Sequence, residues 1–134
     1  MRDAFVSYAT RDSRSTGLLC AGLQALGITL WLDTEDLRRS RGAWREAVQG
    51  GIAASRHVLV TLSSDWAASP ACRYELAIAL ERRVPIIAVD LPQNGSAADA
   101  QSLLPTGAEL IDAGGSVALA IERVGARLAL RTPD

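Results

Sequence analysis

Lysine is missing from this chain of 134 residues, in which all 14 basic residues are arginine. Schiff-base chemistry, lysine general bases and the phosphate-binding lysine of a P-loop are therefore excluded. The arginines are scattered along the chain, and the 15 acidic residues bring the formal net charge to −1. Because a balanced charge offers little attraction to a polyanion, we expect neither nucleic acid nor an anionic membrane as a partner.

Cysteine and long apolar runs are also scarce. Cys20 and Cys72 fall in separate predicted helices and form no CxxC pair, so we predict no disulfide, no zinc site and no other metal site. This cysteine usage favours a reducing, cytoplasmic location. No stretch approaches the ~18 apolar residues of a membrane span, and no apolar signal-peptide region follows Met1. We therefore expect a soluble protein without a membrane partner.

The length and the hydrophobic content of 49% fit one domain with its own core. We assign this domain to residues 1–131 and treat residues 132–134 as a terminal stub or linker. Short runs typical of β-strands alternate along the domain with segments of helical periodicity. The predicted strands cover residues 4–8, 28–32, 57–62, 85–90 and 108–111. This alternation predicts an α/β fold in which helices cover both faces of a parallel sheet.

Ligands of open parallel sheets bind beside the carboxyl ends of the strands. The distinctive segments of the chain all fall at that edge: residues 8–14, 33–42, 63–69 and those from 90 onward. Residues 91–105 are rich in proline, glycine and small polar residues, and we predict an irregular connection there.

Glu75 is the acidic residue of greatest interest at this edge. Ser69 and Pro70 are a suitable N-cap and first residue for the helix that carries it. Apolar spacing predicts a buried stripe formed by Cys72, Leu76, Ala79 and Leu80. Because Glu75 lies about 60° from the centre of that stripe, we expect it at the margin between core and solvent.

A carboxylate in such a cleft can bind the vicinal hydroxyls of a ribose and stabilise positive charge on the sugar as a glycosidic bond breaks. The nicotinamide of NAD is a suitable leaving group, since it departs from a pyridinium as a neutral amide. The plainer interpretation of Glu75 is a solvated glutamate near a helix N-terminus, where the helix dipole favours it. General physical arguments favour that plainer interpretation.

Several segments, taken in order, resemble the TIR (Toll/interleukin-1 receptor) domain family. Residues 3–8 are similar to its first strand motif, and Trp31 to Asp33 to its second strand. Leu37, Gly42 and Trp44 match the following BB loop, with a spacing about one residue longer than usual. The resemblance continues over residues 60–63 and then through Trp66, Ser69, Cys72, Glu75 and Leu76. It covers residues 3–90 and implies a flavodoxin-like sheet of five parallel strands.

The family contains NAD-cleaving enzymes and catalytically silent adhesive modules. The resemblance implies that Glu75 is the catalytic residue and Glu35 the acid of the BB loop. NAD would be the substrate, with no separate cofactor. The residues implied to border the NAD pocket are Ser7, Tyr8, Ala9, Thr10, Glu35, Leu37, Trp44, Trp66, Ala71 and Cys72.

The leading hypothesis is therefore an NAD glycohydrolase that releases nicotinamide and leaves ADP-ribose or a cyclised isomer. The family implies activation by self-association with other TIR domains, here through the loop between Asp33 and Gly42, in defence signalling. The alternative is an interaction module without chemistry. Ala71 favours the alternative, since several active relatives carry at this position a tryptophan on which a base stacks. Trp66 or Trp44 could replace that ring, although the spacing of Trp44 also suits the core.

Other interpretations have less support. Ser7 and Ser63 have no partner for serine hydrolysis, and His57, at the start of a strand, is expected to cap or pack there. A phosphoacceptor receiver would need a late lysine, which the chain lacks. A nucleoside deoxyribosyltransferase-like enzyme, which combines a similar sheet with a glutamate, stays open as a minor alternative.

Overall fold

The computed structural model describes residues 1–32, 44–91 and 98–130, without the side chains of residues 98 and 99. The strands are β1 (Arg2–Ser7), β2 (Leu30–Leu32), β3 (Ser55–Leu62), β4 (Ile86–Asp90) and β5 (Glu109–Asp112). The helices of the described ranges are α1 (Ser13–Ala25), α2 (Trp44–Ala53), α3 (Ser64–Ala68), α4 (Pro70–Glu81), α5 (Ala98–Gln101) and α6 (Val117–Ala129). A 3₁₀ turn at Thr10–Asp12 precedes α1.

The strands form one parallel sheet in the order β2-β1-β3-β4-β5. From β1 the chain first adds β2 on one side and then returns to build β3, β4 and β5 on the other. The strand order therefore reverses between β1 and β3, where Ser7 pairs with Val60. The predicted flavodoxin-like fold of five parallel strands is confirmed. Ligands of such sheets bind at the carboxyl side of this reversal.

Each face of the sheet has its own hydrophobic core, because side chains of a strand alternate between the faces. Phe5 and Val60 point into the core shared with α2, α3 and α4, whereas Val6 and Leu59 point into the core shared with α1 and α6. Coverage on both faces explains why β3 is nearly continuous in apolar residues. No helix of the described ranges is long and apolar enough to cross a bilayer.

Two short helices lie in segments where the sequence predicts no helix. Helix α3 occupies most of residues 63–69, and α5 lies within the connection predicted over residues 91–105. A four- or five-residue helix is too short to show periodicity, so the sequence carries no periodic signal for it. Helix α3 has a local signal in its N-cap, since the Ser63 Oγ accepts a hydrogen bond from the Trp66 backbone N–H at 2.9 Å.

Candidate active site

The candidate site lies where β1 and β3 end and helices α3 and α4 begin. Ser7 is the last residue of β1, and Ser63 directly follows β3. Helix α4 starts as its sequence predicts: Ser69 caps it by accepting a hydrogen bond from the Cys72 N–H at 3.2 Å, and Pro70 is its first residue. This start places Glu75 in the second turn of α4, on the side that packs against the sheet.

Glu75 is held by a buried hydrogen bond across the sheet edge. The Ser7 Oγ donates to the Glu75 Oε1 at 2.8 Å, although 68 residues separate the two in sequence. Each side chain is only 1% exposed. The structure thus brings the predicted catalytic residue against one of the predicted pocket residues.

The expectation that Glu75 lies at the margin of the core is wrong. Leu80, which the sequence had placed in the buried stripe, is 48% exposed, whereas Ile78 is buried. The actual buried stripe of α4 is formed by Cys72, Glu75, Leu76, Ile78 and Ala79. The prediction included Leu80 in the stripe because leucine is hydrophobic. This placed the centre of the predicted stripe too far from Glu75.

Trp66 completes a three-residue hydrogen-bond chain with Ser7 and Glu75. Its indole ring is fully buried, and its Nε1 donates to the Ser7 Oγ at 3.0 Å. The ring therefore offers no open face on which a base could stack in this conformation. Trp66 contributes to the site as a hydrogen-bond donor behind Ser7.

Asp12 is a second buried acid at this edge, and no sequence motif singled it out. It ends the 3₁₀ turn after β1, is 5% exposed, and accepts a hydrogen bond from the Ser63 Oγ at 2.5 Å. Burial raises the pKa of Asp12, the Ser63 hydrogen bond opposes that rise, and the charge of Asp65 adds to it. The partner lies 51 residues away in sequence, so the pairing gave no local signal.

The remaining predicted pocket residues fall in three settings. Tyr8 is partly buried and, with Cys20 and Leu32, lines a groove of about 310 Å³ beside α1. Ala9 is buried in the core next to α2 and α4, and Thr10 is exposed at the start of the 3₁₀ turn. These residues follow Ser7 directly and extend the site along the edge of the sheet.

On α4, Ala71 is partly buried and Cys72 is buried in the core. Trp44 packs against Tyr74 with ring centroids 5.4 Å apart, which matches the core spacing noted in the sequence. Cys72 thus belongs to the core cluster beside α2 and α4, and Trp44 packs against that cluster. Glu35, Leu37 and the predicted assembly loop over residues 33–42 lie outside the described residues.

The Glu75 carboxyl group accepts a hydrogen bond from the neutral Ser7 hydroxyl and is shielded from bulk water. Burying an ionised carboxylate costs several kcal/mol before its hydrogen bonds compensate. An amide or apolar side chain of similar size would serve the fold at lower cost. Functional sites are where proteins retain such costly groups. Among the described residues, no cluster of histidine, cysteine and acidic side chains could hold a metal ion.

Comparison with known proteins gives a consistent result. A family model described as TIR domain matches residues 4–123, which extends beyond the residues 3–90 that carried the resemblance. The fold is similar to the TIR domain of the Toll-related receptor TRR-2 from Hydra magnipapillata. The two are 21% identical, with a TM-score of 0.72 and coverage of 95% of this chain and 97% of that one.

The chain is also similar to the TIR domains of the activated Roq1 resistosome, a structure that directly recognises the pathogen effector XopQ. Identity is 21% and the TM-score 0.58, over 98% of this chain and 86% of that one. A flavodoxin-like domain of a Synechococcus sp. protein matches at 16% identity and a TM-score of 0.58, over 93% of this chain and 94% of that one. At these identities the structures establish a shared fold. No curated protein matches the chain.

Proposed function

The chain belongs to the TIR domain family, and from this premise we propose that it is an NAD glycohydrolase with Glu75 as its catalytic residue. The observation that carries the proposal is the hydrogen bond between Glu75 and Ser7, buried at the carboxyl edge of the sheet beside the reversal of strand order. Burying a carboxylate costs free energy that an uncharged side chain would not, which favours a functional role for Glu75. Glu75 also lies at the carboxyl edge of the sheet, where α/β folds bind ligands.

In the proposed reaction the bond between nicotinamide nitrogen and ribose C1′ breaks, and its electron pair stays with nicotinamide. The Glu75 carboxylate binds the ribose hydroxyls and stabilises the positive charge that develops on the sugar. Water then adds at C1′ and loses a proton, which yields ADP-ribose. Attack by a nucleophilic atom of the adenine ring would instead give a cyclised isomer. Both routes release nicotinamide, so its release is the common readout.

Substrate access requires a conformation in which Glu75 is more exposed than the 1% found in this structure. We propose that self-association opens and completes the pocket, with residues 33–42 contributing Glu35 and Leu37. The TIR domains of the Roq1 resistosome provide a precedent for assembly in pathogen recognition. Tyr8, Ala9, Thr10 and Ala71 would border the bound NAD. Defence signalling is the corresponding biological role.

A non-catalytic interaction module is the second candidate, and two observations favour it. Glu75 is closed to solvent, and Ala71 leaves a methyl group where a ring could support a base. In this case Glu75 is a structural hydrogen-bond acceptor for Ser7, and the protein acts by assembling with other TIR domains. Membership of the TIR family sets aside the deoxyribosyltransferase-like interpretation.

Nicotinamide release from NAD separates the two candidates. The full chain is assayed dilute, concentrated, and fused to an oligomerising helix that forces assembly, while light scattering reports its oligomeric state. The enzyme hypothesis predicts release that rises faster than linearly with protein concentration and is highest in the fusion. A fusion that is folded and assembled but releases no nicotinamide would leave the interaction module as the function. Constant specific activity in a protein that stays monomeric would refute activation by assembly.

A further inference from the structure

Trp66, Ser7 and Glu75 form a hydrogen-bond chain in which Trp66 donates to Ser7 and Ser7 donates to Glu75. We propose that Ser7 is a positioning residue: its hydroxyl, oriented by the Trp66 indole N–H, holds the Glu75 carboxylate ionised and in one rotamer. This inference rests on the proposed function for its catalytic consequence. The hydrogen-bond chain itself can be tested without any activity.

The direction of the Ser7 hydroxyl follows from Trp66. An indole N–H is a donor only, so the Ser7 Oγ must accept the 3.0 Å bond from Trp66 Nε1. The single hydroxyl proton of Ser7 is then left for the 2.8 Å bond to Glu75 Oε1. Glu75 Oε1 must therefore be an acceptor, a role open to both oxygens of an ionised carboxylate and, in a protonated carboxyl group, to the carbonyl oxygen.

Burial makes this arrangement hard to replace. Trp66 is 0% exposed, and Ser7 and Glu75 are each 1% exposed, so bulk water does not reach the hydrogen bonds between them. Hydrogen bonds to a charged acceptor are stronger than neutral ones, and more so where water is excluded. Losing the Ser7 donor therefore disfavours the charged form of Glu75.

Trp66 is itself anchored from its backbone. Its N–H donates to the Ser63 Oγ at 2.9 Å, and the Ser63 Oγ in turn donates to Asp12. The indole is thereby fixed in the short helix α3 while its Nε1 reaches Ser7. This geometry makes Ser7 and Trp66 supports of the Glu75 side chain.

The first test compares NAD cleavage by Ser7→Ala, Trp66→Phe and the double variant. Ser7→Ala should lower kcat/KM roughly 10- to 100-fold, the range expected for a lost hydrogen bond to a charged group, and should move the acidic limb of the pH profile to higher pH. Trp66→Phe removes the N–H and should lower kcat/KM by no more than Ser7→Ala does. In the Ser7→Ala background, Trp66→Phe should lower kcat/KM little further, because the Trp66 N–H acts on Glu75 through Ser7.

The second test needs no activity and uses the free energy of unfolding. Ser7→Ala should destabilise the fold more at a pH where Glu75 is ionised than at a pH where it is protonated, and Glu75→Gln should abolish that difference. Every variant retains the other charged groups that the described elements around the site carry, among them Arg2, Asp3, Arg11, Asp12, Asp65, Arg73 and Glu81. Their contribution to the pH dependence is therefore common to all variants and cancels in the comparison.

Ser55→Ala is the matched control for the second test. Ser55 is also buried and donates to the Gly51 carbonyl at 2.7 Å, at the opposite edge of the sheet. Its loss should lower stability equally at every pH. If Ser7→Ala fails to fold, the pH dependence of the Trp66→Phe cost tests the same hydrogen-bond chain.

The outcomes separate this inference from the proposed function. In one outcome, the wild type fails to cleave NAD while Ser7→Ala still destabilises the fold in a pH-dependent way that requires Glu75. That result would support the hydrogen-bond chain and refute the enzyme hypothesis. The inference is overturned if the protein is active but Ser7→Ala lowers the free energy of unfolding equally at every pH, with the same loss in the Glu75→Gln background. Losses in kcat/KM that multiply in the double variant also overturn it.

Discussion

The two adjacent glycines of α2 differ sharply in what surrounds them, and they provide a test of the packing beside the site. A Cβ added to Gly50 would meet nothing within 4 Å. A Cβ added to Gly51 would lie 2.6 Å from Cε2 and 2.8 Å from Cδ2 of Trp31, well inside van der Waals contact. Trp31 lies in β2, in register with Phe5 of β1.

The Trp31 ring has little freedom to retreat. It stacks on Phe5 with centroids 4.8 Å apart and an interplanar angle of 17°, and Phe5 is fully buried. Overpacking of this kind costs ~1–3 kcal/mol. Replacing a helical glycine by alanine returns up to ~1 kcal/mol. Gly51→Ala should therefore destabilise the fold by up to about 2.5 kcal/mol, whereas Gly50→Ala should stabilise it by about 0.5–1 kcal/mol.

Urea unfolding followed by circular dichroism measures both effects, with an unchanged slope m as the check that the unfolded states are comparable. The helix-propensity term is shared by the two variants, so the difference between their midpoints reports the contact with Trp31. A Gly51→Ala protein that is as stable as Gly50→Ala would refute this account of the packing. Such a result would mean that the end of β2, next to residues 33–42, is held less tightly than the structure indicates.

Three further predictions concern Asp12, His57 and Ala71. Burial raises the pKa of Asp12 above its ordinary 3.8, so the ionised side chain destabilises the fold at pH 7. Asp12→Asn should therefore raise the free energy of unfolding at pH 7, and this gain should shrink as the pH falls toward 3.8. An equal gain at pH 7 and near pH 3.8 would contradict this expectation. Burial, and after it the charge of Arg127, lower the pKa of His57 below its ordinary 6.5. The wild type should therefore lose stability as the pH falls through 6.5, because the unfolded chain then binds a proton that the folded chain resists. The His57→Gln variant should lose less stability over the same pH range. As His57 is the only histidine, matching curves would refute the assignment. In an active assembly, Ala71→Trp should lower the KM for NAD, since base stacking is worth ~1–3 kcal/mol; an unchanged KM in a folded variant would show that the base lies elsewhere.

The fold was largely predictable because its signals are local and periodic. The central strands β3 and β4 are apolar on both faces, and the start of α4 is specified by Ser69 and Pro70. These local signals indicate two buried strands and place Glu75 in the second turn of its helix. The matching family model supports the same interpretation over residues 4–123.

The site was less predictable because its contacts are long-range. Nothing near Glu75 in sequence indicates that Ser7 donates to it, and nothing near Asp12 indicates Ser63. The burial of Glu75 depended on the rotation of α4 about its axis. The exposed Leu80 obscured that rotation, because a hydrophobic scale cannot tell a surface leucine from a core one.

The role of Trp66 illustrates the same limit. Its aromatic ring suggested stacking on a base, but the short α3 helix turns the ring into the core and directs the indole N–H to Ser7. A donor role for tryptophan depends on which acceptor lies within about 3 Å. Such proximity is a property of the fold and not of the local sequence.

The most direct measurement of the central claim is nicotinamide release by the forcibly assembled chain, compared between the wild type and Glu75→Gln. The amide keeps the size of the side chain and an oxygen that accepts from Ser7, but it removes the charge. The account predicts release by the wild type, a loss of at least about 100-fold in Glu75→Gln, and a thermal midpoint in the variant that is not lower. A Glu75→Gln assembly that releases nicotinamide at the wild-type rate would contradict the catalytic role of Glu75.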